Sequence, residues 1–191
     1  MTKRTNTKAM VESALLIALG IVLAQIKIFQ MPYGGSVTLV SSLPFILISY
    51  RHGLKWGLTA GLANGCLQMM TGWYAPPAGT VVAILACVLL DYLLAFMCLG
   101  TACIFEKPFR NKKIGIAFST AVVIIMRFMC SFLSGALLWG SYQSYYEWAE
   151  GMSVWTYSFI YNGSYMMPEM IITAVVAFIL ASTAPKLFEK Q

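Results

Sequence analysis

The chain has 191 residues, of which 59% are hydrophobic and only 10% are charged. Soluble domains carry about 25% charged residues, so the composition excludes an ordinary water-soluble protein. It predicts one membrane domain spanning residues 1–191, for which lipid is most of the solvent. The net charge of +6 comes from basic residues that cluster on one predicted side of the membrane. We therefore expect no nucleic-acid binding.

Six apolar segments predict an all-α integral membrane protein with six transmembrane helices. A spanning helix needs about 20 mostly apolar residues. The segments run over roughly 9–29, 36–50, 54–71, 80–105, 114–139 and 157–183. The second and third are short and contain polar residues, so we expect them to tilt, break or line a cavity. The first lacks a clear A-x-A cleavage site, and we expect a retained helix instead of a signal peptide.

The basic residues predict how these segments are oriented in the membrane. Eleven of the 13 Lys and Arg lie before segment 1, in the 2–3 turn, in the 4–5 loop or after segment 6. These four regions share one side if there are six spans. The positive-inside rule makes that side cytoplasmic, so both termini are expected in the cytoplasm.

Aromatic residues concentrate in the two loops on the opposite side. These loops are GWYAPPAG (72–79) and WGSYQSYYEWAEGMSVWTY (139–157). An interfacial belt explains part of this enrichment, but a belt is expected on both faces of the membrane. The excess on one face favours aromatic walls of a pocket or lid, with Trp73, Trp139 and Tyr157 as candidates.

Three charged residues fall deep within the predicted spans, away from their ends: Asp91, Arg127 and Glu169. A charge at membrane depth costs about 2.5–3.5 kcal/mol on insertion scales and marks a candidate functional site. Asp91 and Arg127 are both expected near mid-depth. One interpretation is therefore a structural ion pair that clamps two helices, and the other is a polar wall of a ligand pocket.

Segment 6 carries Tyr157, Tyr161 and Tyr165 at four-residue spacing, with Asn162 beside them and Pro168 one turn further on. This stripe either joins helices through hydrogen bonds or binds a heteroaromatic ligand. A carboxylate in the same pocket favours an amino-bearing or cationic ligand.

Motifs for chemistry are absent from the sequence. There is no G-x-x-x-x-G-K-[ST] loop for ATP hydrolysis and no ligand pattern for zinc, since the five Cys form no C-x-x-C and the one His is remote. We therefore expect no catalytic residue, no metal and no cofactor. An ion-driven transporter with two related halves is disfavoured because no internal repeat is found.

Four stretches of the chain, taken together, are similar to the substrate-binding S components of energy-coupling factor (ECF) vitamin transporters, specifically the thiamin group. The similarity covers nearly the whole chain. The stretches are PYGGSVTLVSSLPFILISYRHGLKWGLTAGL (32–62), LLDYLLAF (89–96), RFMCSFLSGALLWGS (127–141) and VWTYSFIYNGSYMMP (154–168). The resemblance implies a six-helix bundle in the bacterial plasma membrane, with a vitamin site near the outer side. It also implies that a membrane T subunit and two ATPase subunits supply the energy.

The resemblance also assigns roles to individual residues. Asp91 and Tyr92 match the acidic-Tyr pair of the family. The pocket positions of the family fall on Trp139, Tyr157 and Asn162, which are implied to hold the aminopyrimidine and thiazolium rings. The small-residue motif formed by Ala14 and Ala18 matches the docking site for the T subunit. Its spacing also suits any close helix contact.

The chain departs from the family pattern at several positions. Ser131 replaces the usual pocket His, and the acid is Asp91 where some members have Glu. Gly35, Leu39 and Asn64 stand where some members carry aromatic or acidic residues, and Glu169 is an additional acid. A related ligand, such as pyridoxine-type vitamin B6 or hydroxymethylpyrimidine, is therefore the alternative to thiamin. A purely structural Asp–Arg clamp is the second alternative.

Overall fold

Residues 2–32 and 34–191 are described in the computed structural model, with side chains from residue 7 onward. Helices account for most of this part of the chain. They are α1 (Thr2–Gln25), α2 (Leu43–His52), α3 (Leu54–Thr71), α4 (Val81–Cys87), α5 (Ala95–Leu99), α6 (Ala102–Phe105), α7 (Lys112–Leu138) and α8 (Val154–Thr183). A π-helical segment, Val88–Leu94, joins α4 to α5, and short 3-10 turns occupy Gly140–Tyr145, Glu147–Ala149 and Pro185–Phe188. Two antiparallel strands, β1 (Lys27–Gln30) and β2 (Ser36–Thr38), form a hairpin after α1.

Among the described residues, four stretches of helix are long and apolar enough to cross a membrane, and they correspond to predicted segments 1, 4, 5 and 6. They are Thr7–Gln25, Val81–Leu99, Lys112–Leu138 and Val154–Thr183. The prediction of six apolar spans is therefore confirmed for four. α2 has only 10 residues, about 15 Å of helix, against about 30 Å of hydrocarbon. α3 has 18 residues but includes three glycines, Asn64 and Gln68.

The boundaries of the first two predicted segments are wrong. The helix predicted over 9–29 ends at Gln25, and the segment predicted over 36–50 begins as strand β2 and becomes helical only at Leu43. The cause is the turn between the strands, where Gly34 and Gly35 adopt φ values of +100° and +89°. Such values are readily available only to glycine. The expectation of an all-helical chain is corrected by this hairpin.

The hairpin packs along α8 through residues one helical turn apart. The Tyr161 hydroxyl donates a hydrogen bond of 2.9 Å to the carbonyl of Gly34. At Gly35 the backbone passes so close to the Tyr165 ring that an added Cβ would lie 2.5 Å from it. One turn further, the Glu169 carboxylate accepts two hydrogen bonds from Thr38. These contacts give the strand's polar groups protein partners, which lipid cannot supply.

The chain makes a sharp corner between β2 and α2. Val40 has φ +50°, which is unusual for a β-branched residue and costs on the order of 1–3 kcal/mol. The neighbouring Pro44 lies in the first turn of α2, where its missing N–H is tolerated. α2 is then buried on all sides from Leu43 to Tyr50 and forms the centre of the apolar core.

One end of the bundle is tied together by a cluster around Glu12 of α1. Its carboxylate is ion-paired with Arg51 and lies 3.1 Å from the imidazole of His52. Arg51 also donates to the carbonyl of Lys186, at 3.1 Å, in the last turn of the chain. This cluster fixes the rotation of α1 relative to α2.

Glycines on one face of α3 allow its backbone to touch the helix opposite. A Cβ added at Gly61 would lie 2.5 Å from the carbonyl oxygen of Phe96, and one added at Gly65 would lie 2.6 Å from that of Tyr92. Small residues at four-residue spacing are typical of close helix pairs in membranes. α3 thereby supports the π-helical segment that carries Asp91 and Tyr92.

Replacement of Gly61 by Ala is predicted to destabilise the protein. The added methyl group meets backbone that cannot yield without moving a helix, and such overpacking costs about 1–3 kcal/mol. Gly163→Ala in α8 is the matched control, because its added Cβ meets nothing within 4 Å. Thermal unfolding in detergent should show a lower Tm for Gly61→Ala only. Equal Tm values for the two variants would contradict the close approach.

Candidate ligand-binding cavity

A cavity of about 350 Å³ opens among the hairpin, α3, the π-helical segment, α7 and α8. This volume lies in the range of sites for small organic ligands. Its walls combine aromatic rings with carboxylates, a guanidinium, hydroxyls and an amide. The principal residues from α3 onward are Gln68, Tyr74, Asp91, Tyr92, Arg127, Ser131, Trp139, Tyr157, Tyr161, Asn162, Tyr165 and Glu169.

The carboxylate of Asp91 is held by three donors that converge on one oxygen. Its Oδ2 accepts hydrogen bonds from Ser134 Oγ at 2.5 Å, from Trp139 Nε1 at 3.1 Å and from Cys87 Sγ at 3.4 Å. Its Oδ1 accepts none from the residues that the structure describes. One oxygen therefore fixes the carboxylate, and the other remains available to a donor on a ligand.

Arg127 does not pair with Asp91, although both line the cavity. No ion pair joins the two side chains in the described part of the chain. The guanidinium of Arg127 instead lies over the ring of Phe96, 4.5 Å from its centroid, and NH1 lies 3.5 Å from Ser42 Oγ. The interpretation of the two charges as a helix clamp is therefore wrong. Asp91 and Arg127 lie at similar depths along their helices. Their side chains leave the two helices in different directions and therefore meet different partners.

Tyr92 is fixed by the loop that follows α3. Its hydroxyl donates to the carbonyl of Gly72 at 3.0 Å and accepts from the backbone N–H of Tyr74 at 3.2 Å. Trp73 stacks on the Tyr92 ring with centroids 5.5 Å apart. Trp73 is 40% exposed and lies behind Tyr92, outside the cavity lining, so its predicted place in the site is taken by Tyr74.

Asn162 lies in the cavity wall with its amide already bound by protein groups. Its Nδ2 donates to the carbonyl of Ser158 at 3.0 Å, and its Oδ1 accepts from the Tyr165 hydroxyl at 2.7 Å. Nδ2 also lies 3.3 Å from the carbonyl of Ser131 on α7. Asn162 therefore joins helices, as the first interpretation of this stripe predicts, and it also lines the cavity.

The aromatic side of the cavity comes from the end of α7 and the start of α8. Trp139 packs edge-on against Tyr142, with ring centroids 5.5 Å apart. Tyr157 stacks with Trp148 of the loop at 5.7 Å. Trp139 and Tyr157 both line the cavity, as predicted. The loop aromatics extend this wall outward.

The sequence did not indicate two parts of the site. Ser134 and Cys87, which hold Asp91, belong to no recognisable sequence pattern. Ser134 reaches Asp91 across a helix interface, and Cys87 reaches it along the π-helical turn. The hairpin wall had a usable signal: Gly34-Gly35 before an alternating Ser-Val-Thr stretch is typical of a hairpin turn.

Ala14 and Ala18, the predicted docking residues, lie on the exposed face of α1. Neither residue lines the cavity, and both occupy the side of the helix turned away from buried Ser13 and Gly20. Within the described residues, no group of three His, Cys, Asp or Glu side chains is placed to hold a metal ion.

The fold and the cavity define a multi-pass membrane protein with a pocket for a small organic molecule. The family model described as "Thiamine transporter protein (Thia_YuaJ)" matches residues 10–189. The chain therefore belongs to this thiamine transporter family.

Individual relatives support this membership over the full length. The chain is 33% identical to the thiamine transporter ThiT of Bacillus subtilis (strain 168), with 100% of this chain and 99% of that protein aligned. It is 29% identical to ThiT of Lacticaseibacillus paracasei over 76% of this chain and 73% of that protein. The solved structure of ThiT from Listeria monocytogenes has a TM-score of 0.76, with 22% identity, and covers 97% of this chain and 99% of that chain. That likeness shows the fold.

Tyr165→Phe is predicted to destabilise the protein by about 1–3 kcal/mol. The change removes the donor to Asn162 Oδ1 and leaves a buried acceptor without a partner. Tyr74→Phe is the matched control, because that ring is 44% exposed. The measurement is the Tm of each purified variant in the absence of ligand. A Tyr165→Phe protein as stable as the control would show that the hydroxyl does not hold the amide.

Proposed function

We propose that the chain is the thiamin-binding S component of an ECF-type importer. The observation that carries the proposal is Asp91: a carboxylate held at one oxygen in an aromatic-lined cavity, in a chain that belongs to a thiamine transporter family. The subunit binds its ligand and performs no catalysis.

The chemistry of the cavity suits the two rings of thiamin. The aminopyrimidine carries an exocyclic amine, which can donate to Asp91 Oδ1 in a charge-assisted hydrogen bond. The thiazolium carries a fixed positive charge, which the Asp91 carboxylate and the electron-rich faces of Trp139 and Tyr157 stabilise. Tyr92, Ser131 and Asn162 complete the polar side of the site.

A second ligand class is favoured by two features of the wall. Ser131 is smaller than the His of the family pattern, and Gly35 adds no side chain to the hairpin wall. Both leave room for a ring with different substituents. Pyridoxine-type vitamin B6 and hydroxymethylpyrimidine are therefore the alternative ligands.

The energy for uptake comes from partner subunits in this proposal. The sequence has no ATP-binding loop, and the exposed Ala14 and Ala18 offer a shallow helix surface for a membrane T subunit, which two ATPase subunits drive. The proposal includes six membrane crossings: the four long apolar helices provide four of them, and α2 and α3 provide the other two. Both termini lie in the cytoplasm of a bacterial cell.

Titration calorimetry of the purified protein with thiamin is expected to give saturable binding below about 1 µM. Asp91→Asn should weaken the binding about ten- to a hundredfold, the equivalent of one charge-assisted hydrogen bond. The variant should keep its fold, because none of the described side chains forms an ion pair with Asp91 that the change would break. Glu150→Gln, in the loop between α7 and α8, is the control, because it removes the same charge.

A ligand panel decides between the candidate vitamins. Thiamin, pyridoxine and hydroxymethylpyrimidine are compared by thermal shift and then by calorimetry. Tight binding of another vitamin without binding of thiamin would overturn the substrate assignment. Unfolding of Asp91→Asn would instead indicate a structural role for the carboxylate.

Ala14→Trp is predicted to abolish energised uptake and leave vitamin binding intact. A bulky side chain on the exposed face of α1 prevents close approach of a partner helix, while Ala14 is not part of the cavity lining. Val175→Trp, on the 52% exposed face of α8, is the control for added bulk toward lipid. Radiolabelled thiamin uptake by cells expressing each variant is the measurement. Normal uptake by Ala14→Trp would exclude this docking surface.

A further inference from the structure

Glu169 has no part in the ligand contacts proposed above, yet it is a buried carboxylate at membrane depth. It is the sixteenth residue of the 30-residue α8 and is only 3% exposed. Its Oε2 accepts from the backbone N–H of Thr38 at 2.6 Å, and its Oε1 accepts from the Thr38 hydroxyl at 2.9 Å. Both oxygens therefore bind the same residue of the hairpin.

Thr38 occupies the point where the hairpin joins the helical core. It is the last residue of β2, and its hydroxyl oxygen accepts from Ser41 Oγ at 2.7 Å. Val40, with its left-handed backbone, lies between them. A strained corner persists only where its surroundings hold it, and the paired hydrogen bonds to Glu169 are part of that support.

The hairpin is also a wall of the cavity. Gln30, Gly34, Gly35, Ser36 and Thr38 all line it, opposite the wall that carries Asp91. Against α8 the hairpin is held at three successive turns, by Tyr161 at Gly34, by the Tyr165 ring at Gly35 and by Glu169 at Thr38. Of these three contacts, only that of Glu169 is charge-assisted, and such bonds are roughly twice as strong as neutral ones.

We propose that Glu169 is a positioning residue that holds the hairpin against α8 and so controls how fast a bound vitamin leaves the cavity. The inference rests on the proposed function for the identity of the ligand. Glu169 acts through Thr38, because each of its oxygens accepts a hydrogen bond from that residue. Its loss lets the hairpin separate from α8 and opens that wall of the cavity.

The test uses the full-length protein in detergent or nanodiscs and two readouts. Hydrogen–deuterium exchange of the ligand-free protein reports on the amides of residues 27–38, and stopped-flow quenching of Trp fluorescence gives the dissociation rate of thiamin. The variants are Glu169→Ala, Glu169→Gln and Thr38→Val, with Glu150→Ala as the control for loss of an exposed carboxylate. Thr38→Val tests the contact from the hairpin side and leaves α8 unchanged.

Glu169→Ala is expected to speed amide exchange in residues 27–38 and to raise the dissociation rate about ten- to a hundredfold. Glu169→Gln and Thr38→Val should give smaller increases, because each keeps one of the two hydrogen bonds. In the double variant Glu169→Ala, Thr38→Val the two effects should be less than additive, since both changes break the same contact, and only the hydrogen bond between Thr38 and Ser41 is lost in addition.

Unchanged exchange in the hairpin of Glu169→Ala and Thr38→Val would overturn the inference. Weakened binding with unchanged exchange would also overturn it, because Glu169 would then contact the vitamin directly. The exchange measurement needs no ligand. If the wild-type protein bound no thiamin, the proposed function would fail while the exchange data still decided whether Glu169 holds the hairpin.

Discussion

Backbone N–H and C=O groups that lie outside helices at membrane depth must find partners within the protein, since lipid supplies none. The hairpin of residues 27–38 meets this constraint by packing along α8. The Tyr161 hydroxyl and the Glu169 carboxylate form hydrogen bonds with its backbone, and the Tyr165 ring packs against Gly35 between them. The remaining architecture follows from that pairing. α8 must be long and carry polar groups on one stripe, α2 must start abruptly at the end of the hairpin, and the space between hairpin and bundle becomes the cavity.

The same constraint explains how an acid is tolerated in an apolar helix. Asp91 is costly in lipid, but three donors from α4 and from the end of α7 replace the water it would lose. A carboxylate stabilised in this way is fixed in orientation before any ligand arrives. Arg127 is stabilised separately, by the face of Phe96. Opposite charges in one small cavity can therefore remain unpaired and serve different parts of its wall.

Sequence reasoning succeeded where a local pattern decides the structure. α3 has the predicted bounds because Gly53 and Gly72 flank it, and Asp91, Tyr92, Trp139, Tyr157 and Asn162 all line the cavity. It failed where two distant segments decide jointly. Counting apolar residues extended α1 into β1, because strands and helices in lipid are equally hydrophobic. Similar depths along their helices suggested that Asp91 pairs with Arg127. Counting residues gives depth but not the direction in which each side chain leaves its helix, and that direction prevents the pair. Glu169 was recognised as an acid at depth, yet its partner is 131 residues away.

The π-helical segment Val88–Leu94 has a consequence for how this protein can change. A π turn accommodates an extra residue, and such turns are frequent at functional sites. The wider turn takes up that residue over about the same rotation that an α-helix covers with one residue fewer, so Phe96 and Leu99 keep the register that buries them. Deleting one residue there would restore a regular α-helix and change the directions of Asp91 and Tyr92 within the turn. The π turn therefore confines a change of one residue in chain length to the cavity wall, while the bundle on either side of it keeps its packing.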